Sequence, residues 1–206
     1  KVIMEGIVDN VMKYGFNGIF LVATNPVDII TNIFYKKSNL DSRKVIGSGT
    51  SLDTARLRYL ISEKLDINSK NVHAYVIGEH GDSEFVPWSN AEVGLQNIRC
   101  FLSDEELEKI YLDVKNAAYD IIEKKGATSY GIGMCLVRIT TAILGDENSI
   151  ITVSTYDEEN DAFVGLPAII NSKGVREKVY VNLTEEESSK LHNSINIIKE
   201  AINKVK

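Results

Sequence analysis

Val76-Ile77-Gly78-Glu79-His80-Gly81-Asp82-Ser83-Glu84 is the stretch on which the reading of this chain turns. The apolar run Ala74 to Ile77 has strand character and delivers a histidine into a loop with Gly78 and Gly81 on either side. Glycines there let the backbone bend sharply and let a ligand approach closely. A second run, Ser51-Leu52-Asp53-Thr54-Ala55-Arg56-Leu57-Arg58, has helical character and offers one carboxylate and two guanidinium groups. Asp53 and Arg56 are three residues apart, so on a helix they emerge from one face. A histidine, a carboxylate to orient it and an arginine to grip an anion are the parts needed for proton-coupled chemistry on a small acid. The alternative is an ordinary loop histidine beside a surface ion pair. The two motifs together favour function.

At 206 residues and 44% hydrophobic, the chain can bury a real core, which removes the disordered and fibrous classes. A net charge of −6 offers no footprint for nucleic acid or an anionic membrane, so neither is expected as a partner. No apolar run approaches the ~18 residues of a membrane span, and no signal peptide is visible. Cys100 and Cys135 lie far apart without metal-like spacing and read as buried free thiols of a reducing cytoplasm. The three histidines lack clustered ligand spacing, so no metal is expected. Lys1 is not a start methionine, and Val2, Ile3, Ile7, Val8, Val11 and Met12 already follow helical spacing. The chain is therefore expected to be a piece of a longer protein.

After that opening helix, Gly18 to Ala23 is a short apolar run suited to a strand covered on both faces. Asn25 follows just past its carboxyl end, where open α/β sheets place ligands, although Asn-Pro is also an ordinary turn. A helix is predicted over Val27 to Ser38, a strand over Lys44 to Thr50, a helix over Ser51 to Lys64 and a strand over Asn71 to Gly78. Gly47-Ser48-Gly49 lacks the third glycine of a pyrophosphate loop, and Gly131-Ile132-Gly133 reads as close packing at a helix start. Ser103 with Glu106, and Thr184 with Glu187, form capping boxes ahead of two long helices. A helix begins at Ala127 to Tyr130 and runs to Leu144. Ser149 to Thr155, Ala162 to Ile170 and Val175 to Asn182 are strand-like, the last two flanking a hairpin turn. The last helix repeats Leu191, Ile195, Ile198, Ile202 and Val205, a core-facing stripe. The fold class is therefore α/β, in two zones: an early one that alternates strand and helix as a parallel sheet does, and a later one that groups helices with an antiparallel sheet.

The segments VATNPVDI (22–29), VIGSGTSLDTARLR (45–58), VIGEHGDSEF (76–85), PWS (87–89) and KGATSYGIG (125–133) occur in an order that resembles the lactate/malate dehydrogenase superfamily. Within it they look most like the bacterial L-lactate dehydrogenases, which implies that residues 1–47 are the end of a Rossmann-type parallel-sheet domain that binds the dinucleotide and 48–206 an α+β substrate domain with an antiparallel sheet. The resemblance implies an NAD-dependent exchange of pyruvate and L-lactate in glycolysis and fermentation, in a cytoplasmic homotetramer. It implies His80 as proton donor and acceptor, Asp53 as the carboxylate holding the other imidazole nitrogen, and Arg56 as the clamp on the substrate carboxylate. A planar guanidinium gives that clamp orientation as well as charge. Asn25 and Thr128 are implied at the substrate, and Ala23, Asn25, Ser48 and Ile132 at the cofactor; helix capping is the plainer role for Thr128.

Arg58 and His73 match positions that bind fructose 1,6-bisphosphate in the allosteric bacterial members, so activation by that sugar bisphosphate is expected; a solvated arginine and an unrelated strand histidine are the alternative. The family's glycine-rich pyrophosphate loop, ribose-binding acid and mobile loop with its carbonyl-polarising arginine are absent from these residues. Loss of such a preorganised cation costs roughly 2.7–4 kcal/mol, so the 206-residue chain alone is expected to be inactive. A lactate-like malate dehydrogenase shares Asp53, Arg56 and His80 and is the nearest rival. A non-catalytic oligomeric protein retaining the fold is the second, and it would have no need of an acid–base pair.

Overall fold

The computed structural model describes residues 1–126 and 128–205, the side chains of Asp120, Ile122, Lys125 and Val205 excepted. Strands β1 (Phe20–Val22) and β2 (Val45–Gly47) pair in parallel, with Phe20 opposite Val45 and Val22 opposite Gly47. Parallel neighbours need a crossover, and α2 (Val27–Ser38) supplies it, with α1 (Val2–Met12) packed alongside. Val22, Val27 and Ile30 form the apolar seam between this strand pair and its helix.

The antiparallel part is a meander of β6 (Ser149–Asp157), β7 (Ala162–Asn171) and β8 (Gly174–Lys178). Its last turn is two residues, Ser172 and Lys173, between paired Asn171 and Gly174. A single antiparallel pair, Gly47 with Ser154, joins the meander to β2, giving one sheet in the order β1-β2-β6-β7-β8. The parallel and antiparallel zones expected from the sequence thus share a sheet.

Helices α3 (Ser51–Leu65) and α4 (Asp104–Lys125) bury Leu57, Ile61, Leu107, Ile110 and Val114 against Val72, Ala74 and Val76. Helix α5 (Tyr130–Leu144) sets Ile139 and Ala142 on Val153, Ala168 and Ile170. In α6 (Glu185–Val205), Leu191, Ile195, Ile198 and Ile202 cover Ala162 and Val164, as the stripe predicts. The side chain of Val205 lies outside the described residues. Both capping boxes form. The Ser103 N–H donates to Glu106 Oε2 at 3.0 Å and the Glu106 N–H to Ser103 Oγ at 3.3 Å. Thr184 and Glu187 repeat the exchange at 3.0 and 3.2 Å. Among the described residues no helix is long and apolar enough to cross a membrane.

Three local expectations change. The strand expected over Asn71 to Gly78 is a ladder only at β3 (Val72–His73), in a small sheet with β4 (Glu92–Val93) and β5 (Gln96–Asn97). Beyond it the chain leaves the small sheet, pairing Ile77 with Phe85 and then Gly78 with Gly165 of β7. No single neighbour accompanies it long enough to make a ladder. Helix α5 starts at Tyr130, with Ser129 and not Thr128 at the cap position, so the capping role for Thr128 is not met; Ala127 lies outside the described residues. Cys100 is exposed, not buried, because Ile98 takes the inward position of its short turn; Cys135 is half-buried, and both thiols are free.

Candidate active site

The backbone before His80 is sewn to α3 by two threonines. Thr50 Oγ1 donates to the Val76 carbonyl at 2.6 Å, and the Val76 N–H donates to Thr54 Oγ1 at 3.0 Å. That stitching brings the histidine loop over the first turns of α3, where Asp53 is 3% exposed. Asp53 Oδ2 lies 2.7 Å from His80 Nδ1, and Asp53 Oδ1 accepts from an Arg56 guanidinium nitrogen at 3.3 Å. One carboxylate therefore bridges the imidazole and the guanidinium: the i, i+3 spacing sets Asp53 beside Arg56, and the fold brings His80 to the same group. His80 Nε2 makes no hydrogen bond to the described residues, and the side chain is 26% exposed, so this nitrogen is open to a ligand. A cleft of about 610 Å³ beside Arg56 is lined by Tyr59, Leu60, Asp113 and Asn116, with His80 outside it. The two cationic groups are joined through Asp53 and do not line that cleft together.

Gly78 is required twice over. Its φ of +100° is left-handed, and a Cβ there would stand 2.8 Å from Ser194 Oγ. Its N–H and carbonyl exchange two 2.9 Å hydrogen bonds with Gly165 of β7, where a Cβ would meet the Gly78 carbonyl oxygen at 2.6 Å. Ser194, fully buried on α6, accepts the Glu79 N–H at 2.6 Å. Asp28, buried in the first turn of α2, accepts the His80 N–H at 2.9 Å on one oxygen and the Ser154 hydroxyl at 2.5 Å on the other.

Burial by itself pushes the His80 pKa down. The hydrogen bond and charge of Asp53 outweigh it, with Glu84 and Asp28 behind, and carry it up to about 9. Burial raises Asp28 to about 6, against the pull of its hydrogen bonds from Ser154 and His80. Burial, then the neighbouring charge of Asp53, raises Glu84 to about 8. Asp28, Glu84 and Ser194 drew no role from sequence reasoning. A signal existed for Asp28, which interrupts an apolar run between Val27 and Ile29; Glu84 follows the polar Asp82 and Ser83, and only Phe85 and Val86 after it hint at burial. Nothing marked Ser194, a serine within a helix.

The other expected residues divide by place. Ala23 and Asn25 are exposed beyond β1, and the Asn25 amide has no partner among the described residues. Ser48 is buried just past β2, its N–H donating to the Val22 carbonyl at 2.7 Å. Ile132 is half-buried in the first turn of α5, where neighbouring Gly131 would bring a Cβ to 3.1 Å from Leu52 of α3. Thr128 is half-buried ahead of that helix. Arg58 turns to the other side of α3, donating from Nε to the Ala74 carbonyl at 2.9 Å with its guanidinium 4.6 Å from the Tyr75 ring centre. That carbonyl lies one residue beyond His73, which is exposed in β3.

Residues 50–206 match the lactate/malate dehydrogenase alpha/beta C-terminal domain, and residues 1–47 match the NAD binding domain of the same family. The chain is 51% identical over 210 residues to L-lactate dehydrogenase 2 of Bacillus cereus, covering 97% of this chain and 67% of that protein. It is 52% identical to the crystal structure of a lactate dehydrogenase from a Medee basin deep-sea metagenome library, with a TM-score of 0.94 over 98% of this chain and 68% of the other. The minor L-lactate dehydrogenase of Enterococcus mundtii, in its ligands-bound form, is 41% identical with a TM-score of 0.96, covering 100% of this chain and 68% of the other. Similarity of sequence and fold over nearly all of this chain, and about two thirds of each relative, places it in the lactate/malate dehydrogenase family, as an NAD-dependent 2-hydroxyacid oxidoreductase akin to the L-lactate dehydrogenases.

Proposed function

We propose that His80, Asp53 and Arg56 are the acid–base and anion-binding machinery of pyruvate reduction and L-lactate oxidation. The observation that carries this is the Asp53 carboxylate holding His80 Nδ1 at 2.7 Å with one oxygen and Arg56 at 3.3 Å with the other. His80 then presents Nε2 to the substrate, giving its proton to the ketone oxygen of pyruvate and recovering one from the hydroxyl of lactate. Asp53 fixes the tautomer and favours the imidazolium. Arg56 grips the substrate carboxylate, with Asn25 and Thr128 beside it. When bound, the cofactor would supply the hydride to pyruvate as NADH and accept it from lactate as NAD+. The residues present fit its nicotinamide end. Ala23 and Asn25 lie exposed where the parallel strands end, with the Asn25 amide unpartnered, and Ser48 and Ile132 follow β2 and open α5. We assign residues 1–47 to the end of the dinucleotide-binding domain and 48–206 to the catalytic domain.

The wider reading is a cytoplasmic homotetramer serving glycolysis and fermentation and activated by fructose 1,6-bisphosphate at Arg58 and His73. Exposed Tyr130, Met134, Val137 and Leu144 along α5 support self-association. The position of Arg58 against the chain beside His73 supports the effector site. Steady-state rates with pyruvate and oxaloacetate, in a protein carrying the complete nucleotide-binding domain, test the substrate: preference for oxaloacetate overturns the lactate reading in favour of a malate enzyme. Activity and thermal stability that ignore the bisphosphate overturn the effector site.

A further inference from the structure

Two carboxyl groups face one imidazole nitrogen. Asp53 Oδ2 is 2.7 Å from His80 Nδ1, and Glu84 Oε2 is 3.9 Å from the same atom. Glu84 is 5% exposed and rigidly held: the Tyr111 hydroxyl of α4 donates to its backbone carbonyl at 2.6 Å, and its N–H donates to the Gly81 carbonyl at 3.3 Å. Its two carboxyl oxygens, however, accept no hydrogen bond from the described residues. Like charges this close in a buried place resist being ionised together. The hydrogen bonds decide which of them is the anion. Asp53 has both the imidazole and the Arg56 guanidinium, so Asp53 takes the charge and Glu84 keeps a proton.

We propose that Glu84 is a positioning residue acting through His80: neutral while Asp53 is charged, it ionises only as the pH rises, and its new charge then holds the proton on the imidazole over a wider alkaline range. The groups facing this cluster are Asp53 and Arg56 from α3, Lys115 and Tyr111 from α4, Asp28 from α2 and Asp82 in the loop. Lys115 Nζ donates to the Asp82 carbonyl at 2.8 Å, so its charge sits near the loop without pairing with Glu84. Tyr111 is itself pushed up to about 12, by burial first and then by the charge of Glu84, and it stays neutral. Burial first, and then the charge of Asp53, raise Glu84 to about 8, far above the ordinary carboxylate range, in keeping with a neutral Glu84 beside a charged Asp53.

The consequence for turnover rests on His80 as the proton carrier; the coupling itself does not. The test is an NMR titration of this chain with labelled glutamate carboxyl carbons and histidine rings, unsubstituted and as Glu84→Gln. The Glu84 carboxyl is expected to titrate well above the ordinary value of about 4.3, and the His80 curve to show two steps. In Glu84→Gln the His80 curve becomes a single step with its midpoint about one pH unit lower. An ordinary carboxyl midpoint for Glu84, or a His80 curve unchanged by the substitution, overturns the proposal. If Glu84→Gln does not fold, the carboxyl titration of the unsubstituted chain decides alone. In the NAD-competent protein, the alkaline limb of pyruvate reduction in Glu84→Gln moves to lower pH by the same amount. Turnover surviving in His80→Asn would sink the catalytic reading of His80, and the titration judges the coupling whichever way that result falls.

Discussion

Around His80 the loop is held from three helices and one strand: Asp53, Asp28, Ser194 and Ser154 each hold or back a part of it. Ala23 to Pro26, at the ends of the parallel strands, are exposed throughout, and the Asn25 amide has no partner among the described residues. The contrast follows from what each region has to do. Moving a proton requires a group whose orientation and charge state are set before the substrate arrives, and low-dielectric surroundings make each fixed partner count for more. Binding a ligand requires donors and acceptors left unsatisfied until it comes. One region is finished within the fold; the other is finished by its ligand.

The sharpest way to break that contrast is to remove the proton carrier from the finished side. In a protein with a complete nucleotide-binding domain, His80→Asn is expected to lower kcat by about 10²–10⁴-fold, with the circular dichroism spectrum unchanged. A loss below tenfold would mean that the enclosed region is only structural. Arg56→Lys keeps the charge but loses the planar fork. Forfeiting a charge-assisted hydrogen bond worth about 1.5–3 kcal/mol should raise KM for pyruvate by about ten- to a hundredfold. Little change in KM would show that Arg56 serves Asp53 alone.

A pH series sharpens the comparison further. His80 has a folded pKa of about 9 against an ordinary 6.5. Pyruvate reduction should therefore hold below about 9 and then fall about tenfold per pH unit, while lactate oxidation rises. Linkage gives the same sign for stability. The contribution of His80 is fully present below 6.5 and is lost as pH rises through about 9. Asp28 and Glu84, raised to about 6 and about 8, also favour the fold in their protonated forms and lose that contribution as pH rises through those values. Between pH 6 and 9.5 the melting temperature should drop by about 2–4 °C for each kcal/mol lost; a rise over that interval would contradict the assigned charges. The smallest effect belongs to the open region. Asn25→Ala should leave stability within about 0.5 kcal/mol in a denaturant titration, yet weaken cofactor and substrate binding by about five- to tenfold for one lost neutral hydrogen bond. Unfolding on that substitution would show that the loop is not open after all.

The legible parts of the fold were those written in local patterns. Helix α2 runs over Val27–Ser38 as expected, and the boxes Ser103/Glu106 and Thr184/Glu187 form because each needs only residues three apart. Expectations failed where a distant partner decides. The run after His73 could not be a continuous strand, since its partners change from β4 to Phe85 and then to Gly165. Thr128 falls short of the cap position of α5. In the site, Asp53 and Arg56 were legible as one helix face, and His80 as the centre of a glycine-flanked loop.

By itself the sequence determined the chemical inventory: an imidazole, a carboxylate and a guanidinium, the last two committed to one face by helical periodicity. It also placed glycines on either side of that histidine, although only the contacts of Gly78 with Ser194 and Gly165 show why no Cβ fits there. Tertiary structure alone decided that the imidazole reaches that carboxylate across 27 residues. It alone decided that Asp28 and Ser194, from helices at opposite ends of the chain, hold the loop in place, and that Glu84 points inward to the same nitrogen. Periodicity registers neighbours within a turn or a strand. The state of a buried charge depends on every group packed around it, and those groups come together only when the sheet closes.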